Sequence, residues 1–146
     1  MKGITLRKFR EWRNNQALVR EDLRRITDDE VKVIYRVEYW NTVHGDELPP
    51  GVDHVVFDMG VNAGVRRSGM MLQRAASMPA RDHDGVVGPR TLLAVSRSAP
   101  KALIEALAQF HEHHYRALRH FDTFGAGWMA RLGRRRALAH ELVDEA

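Results

Sequence analysis

Cysteine is absent from all 146 residues, which excludes a disulfide framework and any thiol chemistry. Long apolar runs are absent too. The longest, HVVFDMGVNAGV, is too short and too polar to cross a bilayer. No segment sustains the period-two alternation of a half-buried strand, which leaves helix as the only regular structure the pattern supports. The charged residues Lys2, Arg7, Lys8, Arg10 and Glu11 have no apolar stretch behind them, so we expect no conventional signal peptide on this chain. Lysine is scarce, yet the net charge is +4 because arginine is abundant. That balance suits anionic partners: nucleic acid, a membrane surface or an acidic cell-wall polymer.

What is present reads as one all-α chain of about seven or eight helices. At 146 residues it is long enough for a real core, and 44% hydrophobic residues are too many for disorder. Thr5 can cap a first helix, TLRKFREWR, and a short second helix lies around Val19 to Ile26. Thr27 with Glu30 three residues on is a capping-box pattern, and Asp28 and Asp29 suit the helix start. From there a third helix is expected to run to Trp40, with Val31, Ile34, Tyr35 and Glu38 on one face. HGDELPPGVD is a turn-rich connector in which Pro50 can begin a helix. VDHVVFDMGVNAG reads as a buried helix ending at Gly64, where Gly60 and Gly64 would permit close packing. In RRSGMMLQRAAS, Met70, Met71 and Leu72 are core candidates. ARDHDGVVGPRT is a loop, TLLAVSRS a short helix and PKALIEALAQFHEHHYRALRHF a long one. In that long helix Leu103, Leu107, Phe110, His114 and Leu118 fall on one stripe. FGAGWMARLGRRRALAHEL closes the chain.

Several chemistries fail on spacing. HEHHY lacks the second histidine four residues after His111 that a helical zinc site needs, so no metal is expected and His114 reads as a packed histidine. GVNAGV has glycines but no strand feeding them, which argues against a phosphate loop, and no cofactor is implied. Arg134-Arg135-Arg136 reads as a solvated helix face. Other polar groups interrupt apolar surroundings. Asp58 and Asn62 are four apart on an otherwise buried helix, where an unsatisfied polar group would cost roughly 2–7 kcal/mol. They either form an internal hydrogen-bond network or back a polar cleft. Tyr39 and Trp40 are core residues or a platform on which a sugar ring stacks.

The segments GIT at 3–5, IYRVEYW at 34–40, GDELPPGVD at 45–53 and VVFDMGVNAG at 55–64 carry a resemblance, continued by LQRA at 72–75, DGVVGPRT at 84–91 and FGAGW at 124–128. In order along essentially the whole chain, they resemble glycoside hydrolase family 108, phage-type N-acetylmuramidases with a lysozyme-like helical fold. The resemblance divides the chain into an N-terminal part, 1–54, and a companion predicted peptidoglycan-binding region, 55–146, packed as one globular unit with the first. It implies bacterial peptidoglycan as partner, rather than nucleic acid, and Thr5, Tyr39, Trp40, Asp58 and Asn62 as residues lining the cleft. It implies synthesis in the cytoplasm and action at the cell wall or periplasm after export or release. Family members carry a Glu-Gly-Gly segment and an Asp-Pro-Gly-Gly loop ahead of Gly-Ile-Thr, and that Glu is their catalytic acid. Here Gly-Ile-Thr stands at 3–5, so the acid has no counterpart and no catalytic residue can be named. Met1 is therefore expected to be internal to a longer natural protein, with this chain inactive by itself. Two rival readings are a non-catalytic wall-binding or structural phage protein and a basic helical nucleic-acid-binding protein.

Overall fold

A computed structural model describes residues 3–146 as an all-α, lysozyme-like fold with eight α-helices among the described residues. The chain divides into two compact units, Met1–Tyr39 and Trp40–Ala146. In the first, α1 (Leu6–Arg13), α2 (Arg20–Arg24) and α3 (Asp28–Tyr35) close over a core of Ile4, Phe9, Leu23, Ile26, Val31 and Ile34. Thr5 and Thr27 start α1 and α3 as their sequence positions require: each hydroxyl accepts a hydrogen bond at 3.1 Å from the backbone amide three residues on, Lys8 and Glu30. The expected capping box is only half formed, because the Glu30 carboxylate turns to Arg13 instead, at 2.6 and 2.8 Å.

α3 does not continue to Trp40 as an α-helix. It gives way at Arg36 to a π-helical turn, Arg36–Trp40. A π turn holds an extra residue, so the α-helical spacing that would put Glu38 on the face of Val31 and Ile34 no longer applies.

In the second unit, α4 (Val52–Ala63), α5 (Val65–Ala75), α6 (Pro89–Ser96), α7 (Pro100–Arg116) and α8 (Phe121–Glu145) surround a core centred on Val56, Met59, Leu72, Ile104 and Leu107. Pro89 and Pro100 each occupy the first helical turn, where a missing N–H costs nothing. α4 begins at Val52 rather than at Pro50, because Gly51 makes the entry turn at φ +88° against α8. Gly64 serves conformation rather than packing: its φ is +95°, it forms the corner between α4 and α5, and a Cβ there would meet nothing. Two core assignments shift by rotation about a helix. Successive helical residues point about 100° apart, so Met70, Met71 and Leu72 cannot all face inward. Leu72 is fully buried, Met71 half-buried, and Met70 is 39% exposed. On α7 the buried stripe is Leu103, Ile104, Leu107, Ala108, His111 and Tyr115. His111, not His114, is therefore the packed histidine, and Leu118 lies outside the helix and exposed.

Candidate functional site

In the first unit, Thr5 spends its hydroxyl on the α1 cap. The π turn presents Glu38 and Tyr39. Lys8 from α1 donates to the Glu38 carboxylate at 2.9 Å, and its ammonium lies 5.9 Å from the centre of the Tyr39 ring. The hydrogen bond with Glu38 is the main cause raising the Lys8 pKa. Tyr39 is half-buried, 5.6 Å from the Tyr35 ring. A half-open phenol ring beside an ion pair is chemistry that suits a sugar.

In the second unit, Trp40 is held on two sides. Its indole N–H donates to Asp46 at 3.0 Å, and its ring meets Phe57 edge-on at 5.6 Å. Gly45 is buried against the indole, and any Cβ there would collide with it. Asp58 and Asn62 come together as their spacing requires: the Asn62 amide donates to the Asp58 carbonyl at 3.0 Å and to its carboxylate at 3.3 Å. The stronger grip on Asp58 comes from α8. Arg131 donates through both terminal nitrogens, at 2.9 and 2.5 Å, and Arg135 approaches to 3.7 Å. Sequence reasoning missed Arg131. The only local signal is an arginine set between Met129 and Leu132 in a locally apolar stretch of the helix.

Around this clasp, Tyr115 stacks on His111 at 4.3 Å and on Trp128 at 5.4 Å, with Phe124 a further 5.9 Å from Trp128. Burial raises the Tyr115 pKa. Burial also lowers that of His111 to about 4, helped by His114 and Arg131 and opposed by Asp58. Arg134 and Arg136 of the arginine run are exposed, as a solvated face requires, although Arg136 also binds Glu105 at 2.7 Å; Arg135 is half-buried and leans on Asp58. No cluster of metal-ligating side chains occurs among the described residues.

Gln73 explains the DGVVGPRT segment. From inside α5 its amide donates to Asp84 at 2.8 Å, to the Val86 carbonyl at 3.1 Å and to Thr91 at 3.1 Å, and its oxygen accepts from the Gly85 amide at 2.9 Å. Gly85 sits at φ +80°, and Gly69 of α5 lies so close to its carbonyl that a Cβ would clash. The loop is thus a clasp onto α5, and LQRA supplies its hook. Between α5 and α7 lies an open groove of about 1160 Å³, floored by Met70, Met71 and Phe110 and walled by arginine and histidine.

The glycosyl hydrolase 108 family model matches residues 1–64, a span holding GIT, IYRVEYW, GDELPPGVD and VVFDMGVNAG. The chain is also similar to a solved structure, that of Brucella abortus SagA. Identity is 35% and the TM-score 0.89, over 97% of this chain and 79% of that one. The chain belongs to the glycosyl hydrolase 108 family. A search among curated proteins found no match. The family assignment makes this a peptidoglycan-acting, muramidase-like domain. Within the described residues no helix is long and apolar enough to cross a membrane.

Proposed function

We propose that this chain recognises the glycan of bacterial peptidoglycan and that the general acid for cleavage is carried on a segment ahead of Gly3-Ile4-Thr5. One observation carries the second half of this reading: the carboxylates of Glu38, Asp46, Asp53 and Asp58 are already committed. A general acid must present a proton to the leaving oxygen. Glu38 instead holds the Lys8 ammonium, Asp58 holds the Arg131 fork, and Asp46 accepts from Trp40. Asp53 is the carboxyl whose pKa burial raises, but it accepts the Gly51 and His54 amides at 2.9 and 2.6 Å and so shapes the start of α4. SagA, similar over almost all of this chain, has a fifth of its own length outside the match, room for such a segment.

In this reading Tyr39 and Trp40 offer rings to the sugars, Asn62 offers an amide, and Asp58 with Thr5 holds backbone and neighbours in place. Residues 55–146 act as the wall-binding region and residues 1–54 as the hydrolase part. Action is at the cell wall, and the basic charge speeds encounter with its anionic polymers.

The test is release of reducing ends from purified sacculi, measured beside sacculus binding. The chain as given should bind and release almost nothing. The same chain extended upstream to include a Glu-Gly-Gly segment should hydrolyse, and changing that Glu to Gln should cut the rate by about 10²–10⁴. Turnover by the chain as given, within about tenfold of the extended form, would place the acid inside it and overturn the proposal.

A further inference from the structure

The groove between α5 and α7 has no carboxylate among its lining residues. Among the described residues Arg67 donates to no carboxylate; its terminal nitrogen sits 3.2 and 3.3 Å from the two ring nitrogens of His114. Burial, and then Arg67 itself, hold the His114 pKa below its ordinary value, so the positive charge there is unbalanced. Arg74 lays its guanidinium 4.4 Å over the Phe110 ring. A guanidinium stacked this way keeps its N–H edges free for an in-plane acceptor. Arg66 is the one already balanced in part: it reaches the Asp84 backbone carbonyl at 3.5 Å, and its charge acts on the Asp84 carboxylate. Between these cations lie Met70, 39% exposed, and the open side of Phe110.

Arg67 and Arg74 are seven residues apart on α5, which separates them by roughly 10 Å along the helix. An extended peptide covers that distance in about three residues. We infer that the α5–α7 groove binds a short, extended, carboxylate-bearing peptide, its acids on Arg67 and Arg74 and a small apolar side chain on Met70 and Phe110. This rests on the reading above, under which the peptide is the acidic stem peptide of peptidoglycan. It adds a second contact to the wall polymer, through peptide rather than sugar.

The probe is the free stem peptide L-alanyl-γ-D-glutamyl-meso-diaminopimelyl-D-alanine, titrated calorimetrically into the whole chain. Saturable binding is expected, weakened about tenfold by Arg67→Gln and again by Arg74→Gln. Phe110→Ala should weaken it several-fold, while Arg24→Gln on α2 should leave it unchanged. The same peptide with its carboxylates converted to carboxamides should fail to bind the unaltered protein, a comparison needing no variant to fold. If the peptide does not bind while sacculi still do, this inference is wrong and the wall reading stands. If neither binds, the wall reading fails and takes this one with it. Equal affinity for poly-L-glutamate or single-stranded DNA of matched charge would also overturn it, by reducing the groove to a nonspecific cation patch.

Discussion

His111 is an ionisable ring placed where a proton is costly. It is 1% exposed, and its Nε2 makes no hydrogen bond among the described residues. Asp58, Arg131, His114 and Tyr115 are the charged and titratable groups facing it. With its folded pKa at about 4 against 6.5 ordinarily, the ring is neutral in folded and unfolded chains at neutral pH. Between 6.5 and about 4 the unfolded chain takes up a proton that the folded chain refuses, so stability falls as pH falls through that window. The loss approaches about 3 kcal/mol, and it levels off below the folded pKa. His54 and His114, also lowered by burial, add in the same direction. Melting temperature followed from pH 7 to 4 (roughly the window set by these values) should drop steeply. In His111→Phe, which keeps the stack on Tyr115 and removes the ring nitrogens, the slope should be shallower. At this scale the sequence showed neighbours and hid distant partners. Asp58 and Asn62 could be paired by counting four residues along a helix, whereas Arg131, 73 positions away, could not. The packed histidine on α7 was misplaced by one helical turn for a similar reason. A stripe of mixed apolar and aromatic residues leaves the rotation of a helix open until its neighbours are known.

The helices themselves were legible wherever a chemical signal marks an end. Thr5, Thr27 and Pro100 all stand at starts, whereas Pro89, read as a turn signal inside the 80–91 loop, begins α6. Thr27→Ala should cost about 1 kcal/mol in a denaturant melt, because the Glu30 amide loses the Thr27 hydroxyl that caps the head of α3. The π turn at 36–40 was not legible, since one inserted residue leaves no mark on a local apolar pattern. Nor was the close approach of Gly69 to Gly85, although both glycines stand in plain view in the sequence. A glycine needed for contact looks like any other until the partner backbone is in place. Gly69→Ala should push the loop off α5, break the bonds Gln73 makes to it, and cost roughly 1–3 kcal/mol. Faster amide exchange at Gly85 and Val86 would identify the loop as the part that gives; unchanged exchange there would contradict the clasp.

Over the whole chain, class and family were readable because both depend on pattern in bulk. Absent strand periodicity gives an all-α fold, and the ordered motifs of residues 1–64 give the family. The division of the chain after Tyr39, by contrast, falls inside the π turn and carries no compositional mark. The clasp between Asp58 and Arg131 also has a consequence in time. α4 packs on α5, and α7 on α8, each with its neighbour in sequence, whereas Asp58 must wait for a segment 73 positions away. Closing so long a loop loses chain entropy before any contact repays it, which places this ion pair late on the route to the native state. Asp58→Asn should therefore lower stability by roughly 2–3 kcal/mol, less than a fully buried pair because the Arg131 side chain is 32% exposed. Stopped-flow measurements should find nearly all of that change in a faster unfolding rate, with refolding almost untouched. The clasp is then a brake on unfolding, and what it supplies is a longer lifetime in the folded state.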